Sequence, residues 1–395
     1  MKLPHLHVTR PFTEIFIRAF IIASTVYATT VGWPGILDDT MWANQAEYVL
    51  TGDVRQFDAT RAYGHPGAPI IDGTILVHAV TGISFKRSLL LFLTFFSALI
   101  IAGISLLCYF IRPKDLWWLA STLSLSFGAQ FLHDYGTPPS VVASLLLVLL
   151  SLLTLWIYEN NSRVQLTHYL LWGITGGLAA ATRADISTLL IIVFLILLWR
   201  KTDFQKIFLM GITAIATFTI VNTFMWYMPI THLRDIIGKA LYHYAKFEPY
   251  NMPLANVFNI SSFLIVSILL SLCFLVFRKK LPRVLPYDFL YALYALTTIV
   301  YTIFLTADYQ ATRYFLPIIF IWETFLPLFL FSLVEQVGLP IKIKRLCGSM
   351  DTKTVIQICI IIALTSIPFV YFLNTLLTMF IHSYFIDYES LYPPF

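Results

Sequence analysis

Long apolar runs recur from one end of this chain to the other, and that recurrence restricts its fold more than any motif does. A bilayer core about 30 Å thick takes about 20 apolar residues per crossing helix. Inside it every backbone N–H and C=O has to be paired within the protein, so such segments cross as helices. Apolar runs at 15–31, 88–111, 116–132, 138–158, 169–181, 186–199, 207–228, 255–277, 287–306, 314–334 and 355–380 predict about eleven spans. Of 395 residues, 58% are hydrophobic and 12% charged, whereas a soluble domain carries about 25% charged residues. The expected fold class is an all-α polytopic membrane protein: a single transmembrane domain over 1–395, with no separate soluble domain.

Charge distribution predicts how the spans are threaded. Basic clusters fall at Lys2/Arg10, Arg112/Lys114, Arg200/Lys201/Lys206, Arg278/Lys279/Lys280/Arg283 and Lys342/Lys344/Arg345/Lys353. Cytoplasmic loops collect Lys and Arg. All five clusters share one side only if the apolar stretch 169–199 turns at "TRAD" (182–185). A turn there is therefore expected, with the N-terminus cytoplasmic. The first half of that stretch contains Gly173-x-x-x-Gly177, a small-residue face that permits close helix packing. The outer side then receives the long loop 32–87 and most of the aspartates, including Asp38, Asp39, Asp53, Asp58, Asp72, Asp134, Asp185, Asp235 and Asp308. Chemistry is expected on that outer, non-cytoplasmic face, in a plasma membrane or the endoplasmic reticulum.

Several classes drop out. A net charge of +5 spread over membrane loops is not a nucleic-acid signature. Cys108, Cys273, Cys347 and Cys359 stand singly, so neither a disulfide framework nor a zinc site is indicated. The first apolar run reads as an uncleaved anchor, since many others follow it.

The segment "LDDTMWANQAEYVLTGD" (37–53) leaves the first span with two adjacent carboxylates. Trp42, Ala46, Val49 and Leu50 fall at helical spacing, which predicts an amphipathic interfacial helix ended by Gly52. Asp39 or Thr40 suits its N-cap. The two aspartates are either caps and solubilising charges or the acid–base centre of an enzyme, with Asp39 slightly favoured as the base. In "GHPGAP" (64–69) the prolines enforce an extended, turning chain that resumes as a helix near Ile70. His65 there is either a plain loop residue or a phosphate-binding or orienting group. His133 and Asp134 mark the second outer turn. Arg183 and Asp185 interrupt apolar sequence, which is costly unless they are paired or useful. Arg313 and Tyr314, in "TRYFLP" (312–317), open a late span. Arg313 is either an interfacial anchor or a fork for a phosphate at headgroup depth.

Taken in order, "LDDTMWANQAEYVLTGD", "GHPGAP", "TRADISTLLII" and "TRYFLP" resemble the GT-C membrane glycosyltransferases that use polyprenyl- or dolichyl-phosphate sugars. That group includes protein O-mannosyltransferases and aminoarabinose transferases. The resemblance covers roughly residues 30–320 in organisation. It implies that one of Asp38 and Asp39 is the catalytic base and that Arg313 faces the donor phosphate. Tyr314, Arg183 and His65 are further donor-site candidates, and Asp134 and His133 candidates for an acceptor or secondary site.

The chemistry demanded by such a donor matches these residue types. A prenyl-phosphate sugar leaves as a stable anion, so no acid is needed on the leaving side, unlike hydrolysis of an alkyl glycoside. One ionised carboxylate removes the acceptor's hydroxyl proton, and cations stabilise the departing phosphate. Direct displacement with a single base inverts the anomeric centre. The expected partners are a lipid-linked sugar donor, a glycan, lipid or protein acceptor, and membrane lipids, with no nucleic acid. No cofactor is expected, and a divalent metal is not favoured, since a monophosphate carries less charge than a diphosphate. The alternative is a transporter or flippase for a lipid-linked or amphipathic substrate. It predicts polar residues near span centres and symmetry between halves.

Overall fold

A computed structural model describes residues 10–28, 37–52, 67–134, 166–182, 203–222, 224–227 and 352–385, with isolated positions at 194–195, 197–198, 229–231, 233–234, 237, 324, 327–328 and 330–331. All regular structure among them is helical. The helices are α1 (Arg10–Ala28), α2 (Leu37–Thr51), α3 (Ala68–Thr81), α4 (Phe85–Ile111), α5 (Trp117–Asp134), α6 (Leu166–Thr182), α7 (Phe204–Val221), a single turn α8 (Phe224–Tyr227) and α9 (Thr352–Phe385). Three of them, at Pro11–Ala28, Phe85–Phe110 and Phe204–Val221, are long and apolar enough to cross a membrane. The expected runs at 138–158, 255–277 and 287–306 lie outside the described residues.

Side-chain contacts fix the relative directions of the bundle helices. Phe12 packs edge-on against Tyr109 at 5.7 Å, and Phe20 packs against Phe95 at 5.2 Å, so α1 and α4 are antiparallel. Ser105 and Thr122 hydroxyls meet at 2.7 Å, and Cys108 Sγ donates to Ser121 Oγ at 3.6 Å, across α4 and its antiparallel partner α5. Val26 packs with Phe127, and Phe127 with Phe369 at 5.3 Å. Thus α5 runs parallel to both α1 and α9. Lipid offers no hydrophobic drive between helices, so close packing and interhelical hydroxyl bonds, each about 0.6 kcal/mol, hold such a seam.

At one end of this bundle the α4–α5 turn is tied to the start of α9. Asp115 is buried. Its carboxylate meets Arg112 Nε at 2.5 Å and Lys353 Nζ at 2.8 Å. Gln357 Nε2 donates to Asp115 Oδ1 at 3.1 Å, while Gln357 Oε1 accepts from the Leu116 amide at 3.2 Å. Trp117 Nε1 donates to the Thr324 carbonyl at 2.6 Å. A buried charge is tolerated only when paired in this way.

The pair α6 and α7 packs closely, and α6 also touches α3. A Cβ on Gly173 would lie 2.6 Å from the Met210 carbonyl oxygen, and one on Gly177 would lie 2.3 Å from the Ala214 carbonyl oxygen. The glycines therefore let two backbones touch, as the G-x-x-x-G spacing predicts. Position 173 faces 210 and 213, and 177 faces 214 and 217, while Lys206 Nζ stands over the Tyr169 ring at 5.8 Å. The two helices are therefore parallel. The end of α6 at Thr182 and the start of α7 at Phe204 lie at opposite ends of the pair. Asp203 caps α7 by accepting from the Gln205 amide at 3.1 Å, a common use of an N-cap carboxylate.

Candidate functional site

The opposite end of the bundle carries α2 and α3, both packed on the first turns of α4. Their shared core is Trp42, Ala43, Ala46, Ile70, Ile71, Leu89 and Leu93. α2 ends as the sequence predicts: Gly52 adopts φ 75° and its amide donates to the Tyr48 carbonyl at 2.8 Å. Its start differs from expectation. The helix begins at Leu37, so Asp38 and Asp39 both belong to its first turn and neither Asp39 nor Thr40 is the N-cap. With both carboxylates inside the turn, position along the chain no longer separates them. The first turn has free amides and the positive end of the helix dipole, a setting that favours ionised carboxylates.

The buried face of α2 also differs from the expected stripe. Trp42, Ala43, Gln45 and Ala46 are buried, while Val49 and Leu50 are 48% and 51% exposed. The reason is that α2 meets two helices at once. The small side chains of Ala43 and Ala46 let it approach α3 and α4 together, whereas its C-terminal turn extends past them.

α3 starts at Ala68 with Pro69 in its first turn, a position where the missing amide costs nothing. Gly67 precedes it with φ 53°, and the Gly67 carbonyl accepts from the Ile70 and Ile71 amides at 3.0 Å each. A Cβ on Gly67 would lie 2.0 Å from Cζ3 of Trp42, so the indole rests on bare backbone. Gly82 closes the helix with φ 69°. There His78 Nδ1 lies 2.6 Å from the Ile83 carbonyl oxygen and the imidazole stacks on Phe85 at 4.0 Å. Asp72 lies on the outward side of α3, and the surrounding protein partly desolvates its carboxyl and raises it above its ordinary range.

The sequence-predicted residues distribute as follows. Asp38 and Asp39 lie in the first turn of α2. His133 and Asp134 are the last two residues of α5, about two turns past Phe127, at the bundle end that also carries α2 and α3. Arg183 follows directly on the last residue of α6, Thr182, and lies outside the described residues, as do His65, Arg313 and Tyr314. Among the described residues no three His, Cys, Asp or Glu side chains gather as a metal site; the side chains of Asp38, Asp39, Asp134 and His65 are not in that set.

Two features escaped sequence reading. The Asp115 cluster has one local signal, the Arg112-x-x-Asp115 spacing. Its partners Lys353 and Gln357, more than two hundred residues away, have none. Gln45 is fully buried within a helix read as surface-lying, and a lone glutamine carries no pattern. A search against protein-family models finds no match to this chain, and neither does a search of curated proteins.

Proposed function

We propose that this chain is a multi-pass, GT-C-like membrane glycosyltransferase. It transfers a sugar from a polyprenyl-phosphate donor to an acceptor hydroxyl on the non-cytoplasmic face, with inversion. One of Asp38 and Asp39 serves as base. Arg313 and Tyr314 receive the donor phosphate, with Arg183 and His65 beside them, and Asp134 and His133 serve the acceptor side.

One observation supports this reading above the others. The acidic pair sits at the head of a helix that is packed into the protein: Trp42, one turn later, is buried. A merely solubilising charge pair needs no such support, whereas a base must be held within hydrogen-bond reach of its acceptor. A second support is threading. Parallel α6 and α7 put Thr182 and Phe204 at opposite ends of their pair, as a turn at 182–185 requires. Asp115 joins Arg112 to Lys353, so two of the basic clusters share one end, away from α2.

The transporter or flippase alternative draws on the buried hydroxyls of α4 and α5, among them Ser97, Ser105, Ser121 and Thr122. Of these, Ser105 and Thr122 bond their own helix carbonyls and each other, the ordinary behaviour of packed helices. The deciding experiment is reconstitution of the purified chain in liposomes with a radiolabelled polyprenyl-phosphate sugar. Label transferred to an acceptor, with free polyprenyl phosphate left behind, is the expected result. Movement of intact donor between leaflets without bond cleavage would replace the transferase with the flippase.

A further inference from the structure

We infer that Gly67 and Trp42 form a clasp that sets the position of the acidic first turn of α2, which makes both of them positioning residues for the transfer; this rests on the reading above. Three glycines among the described residues adopt left-handed φ: Gly52, Gly67 and Gly82. At Gly52 and Gly82 an added Cβ would meet nothing within 4 Å, so those two serve only as helix stops. Gly67 is different. Its hypothetical Cβ would lie 2.0, 2.4 and 2.6 Å from three ring carbons of Trp42. Both its backbone conformation and the indole lying on it exclude a side chain.

The clasp is anchored on both sides. The Gly67 carbonyl is held by two amides of the first turn of α3. α3 is in turn seated on α4, where a Cβ on Gly73 would lie 2.2 Å from the Phe92 ring, and Ile70 is fully buried. On the other side, Trp42 belongs to α2 and follows Asp38 and Asp39 by one helical turn. A rigid path therefore runs from α4 through α3 and Gly67 to Trp42, and ends one turn short of the carboxylates. Ala43 and Ala46 hold the helix further along. Trp42 is buried one helical turn after the acidic pair, so its seat governs how that turn tilts. Displacements of about 1 Å at a reacting group cost on the order of a hundredfold in rate.

The test uses the full chain in nanodiscs, in a background without native cysteines. Spin labels replace Thr40, beside Asp39, and Leu99, exposed on α4. Gly67→Ala is expected to shift or broaden the distance distribution. It should also lower kcat for transfer from a polyprenyl-phosphate sugar by about tenfold or more, with donor KM nearly constant. Trimming the ring in Gly67→Ala/Trp42→Leu makes room for the new methyl and is expected to restore the distance and part of the rate. Gly82→Ala, with the same backbone conformation but open space, should change neither. Should Gly67→Ala not fold, Trp42→Ala opens the clasp from its other side and is expected to broaden the same distance. An unchanged distance in the clasp variants, a displacement that Trp42→Leu does not relieve, or a displaced turn with unimpaired kcat would overturn the inference. A wild-type chain that transfers no sugar would defeat the proposed function instead, and the distance measurements would still decide whether the clasp holds the turn.

Discussion

Lys353 Nζ lies 2.8 Å from Asp115 Oδ1, joining the first turn of α9 to the corner between α4 and α5. Asp115 is 2% exposed and shares its carboxylate between Lys353, which is 38% exposed, and Arg112, at 19%. The two ends of this interaction are therefore unequal. Asp115→Asn leaves two cations facing each other in a half-buried site, and a loss of about 3–5 kcal/mol is expected. Lys353→Met removes a solvent-screened partner, and Arg112 and Gln357 remain, so a loss of about 1 kcal/mol or less is expected. Thermal unfolding of the two variants in nanodiscs checks the order. Equal losses would mean that Asp115 is not the centre of the cluster.

Gly177 should resist substitution more than Gly211 does. A methyl at Gly177 meets the Ala214 carbonyl oxygen at 2.3 Å, a backbone atom that cannot turn aside, while a methyl at Gly211 meets nothing within 4 Å. Gly177→Ala is expected to cost about 1–3 kcal/mol through forced separation of α6 and α7. Gly211→Ala should be neutral or slightly stabilising by helix propensity. Melting temperatures of the two variants measure the contrast, and a neutral Gly177→Ala would contradict the close parallel packing.

Asp72 should make stability depend on pH in a definite sense. Its carboxyl is raised above the ordinary value of 3.8 by desolvation, so the folded chain holds this proton more tightly than the unfolded one. The resulting stabilisation is full below 3.8 and is lost as pH rises through the raised folded value. Asp72→Asn removes that dependence. Relative to wild type it should be stabilising at neutral pH, with the advantage fading in acid. Melting curves of both proteins across that range supply the comparison; an advantage that grows in acid would reverse the sign.

The helical class and several element ends were legible in the sequence for physical reasons. Gly52 closes α2, and Gly173 and Gly177 bring α6 against α7, because glycine has a narrow conformational use; Pro69, read as part of an extended turn before a helix from Ile70, instead lies in the first turn of α3. The buried face of α2 was not legible, since it depends on two partners that meet at Ala43 and Ala46. Trp42 looked like one member of a lipid-facing stripe, and its contact with Gly67 arises only when two segments of the first loop fold together. Asp115 has no local pattern beyond Arg112, three residues before it. Its partners lie near the other end of the chain, beyond the reach of any local pattern. Of the candidate site, the helix that carries the acidic pair was legible, whereas its start was misjudged by about three residues.

Threading can be checked chemically. α6 ends at Thr182, and a cysteine in place of Ala184 should react with an impermeant thiol reagent from the non-cytoplasmic side, in a background lacking native cysteines. Lys114, beside the Asp115 cluster, should be labelled as Lys114→Cys only from the cytoplasmic side. Labelling of both positions from the same side would break the assignment of Arg112, Lys114 and Lys353 to one face and of the "TRAD" segment to the other.

The role of the acidic turn is tested most directly by sugar transfer in Asp38→Asn, Asp39→Asn and the double variant. The measurement is initial transfer rate at saturating polyprenyl-phosphate sugar, alongside donor binding. A general base contributes about a hundredfold to ten-thousandfold. One single variant and the double variant are expected to lose at least that lower amount while still binding donor, and the other single variant should be milder. A double Asn variant that transfers sugar at the wild-type rate would contradict the account.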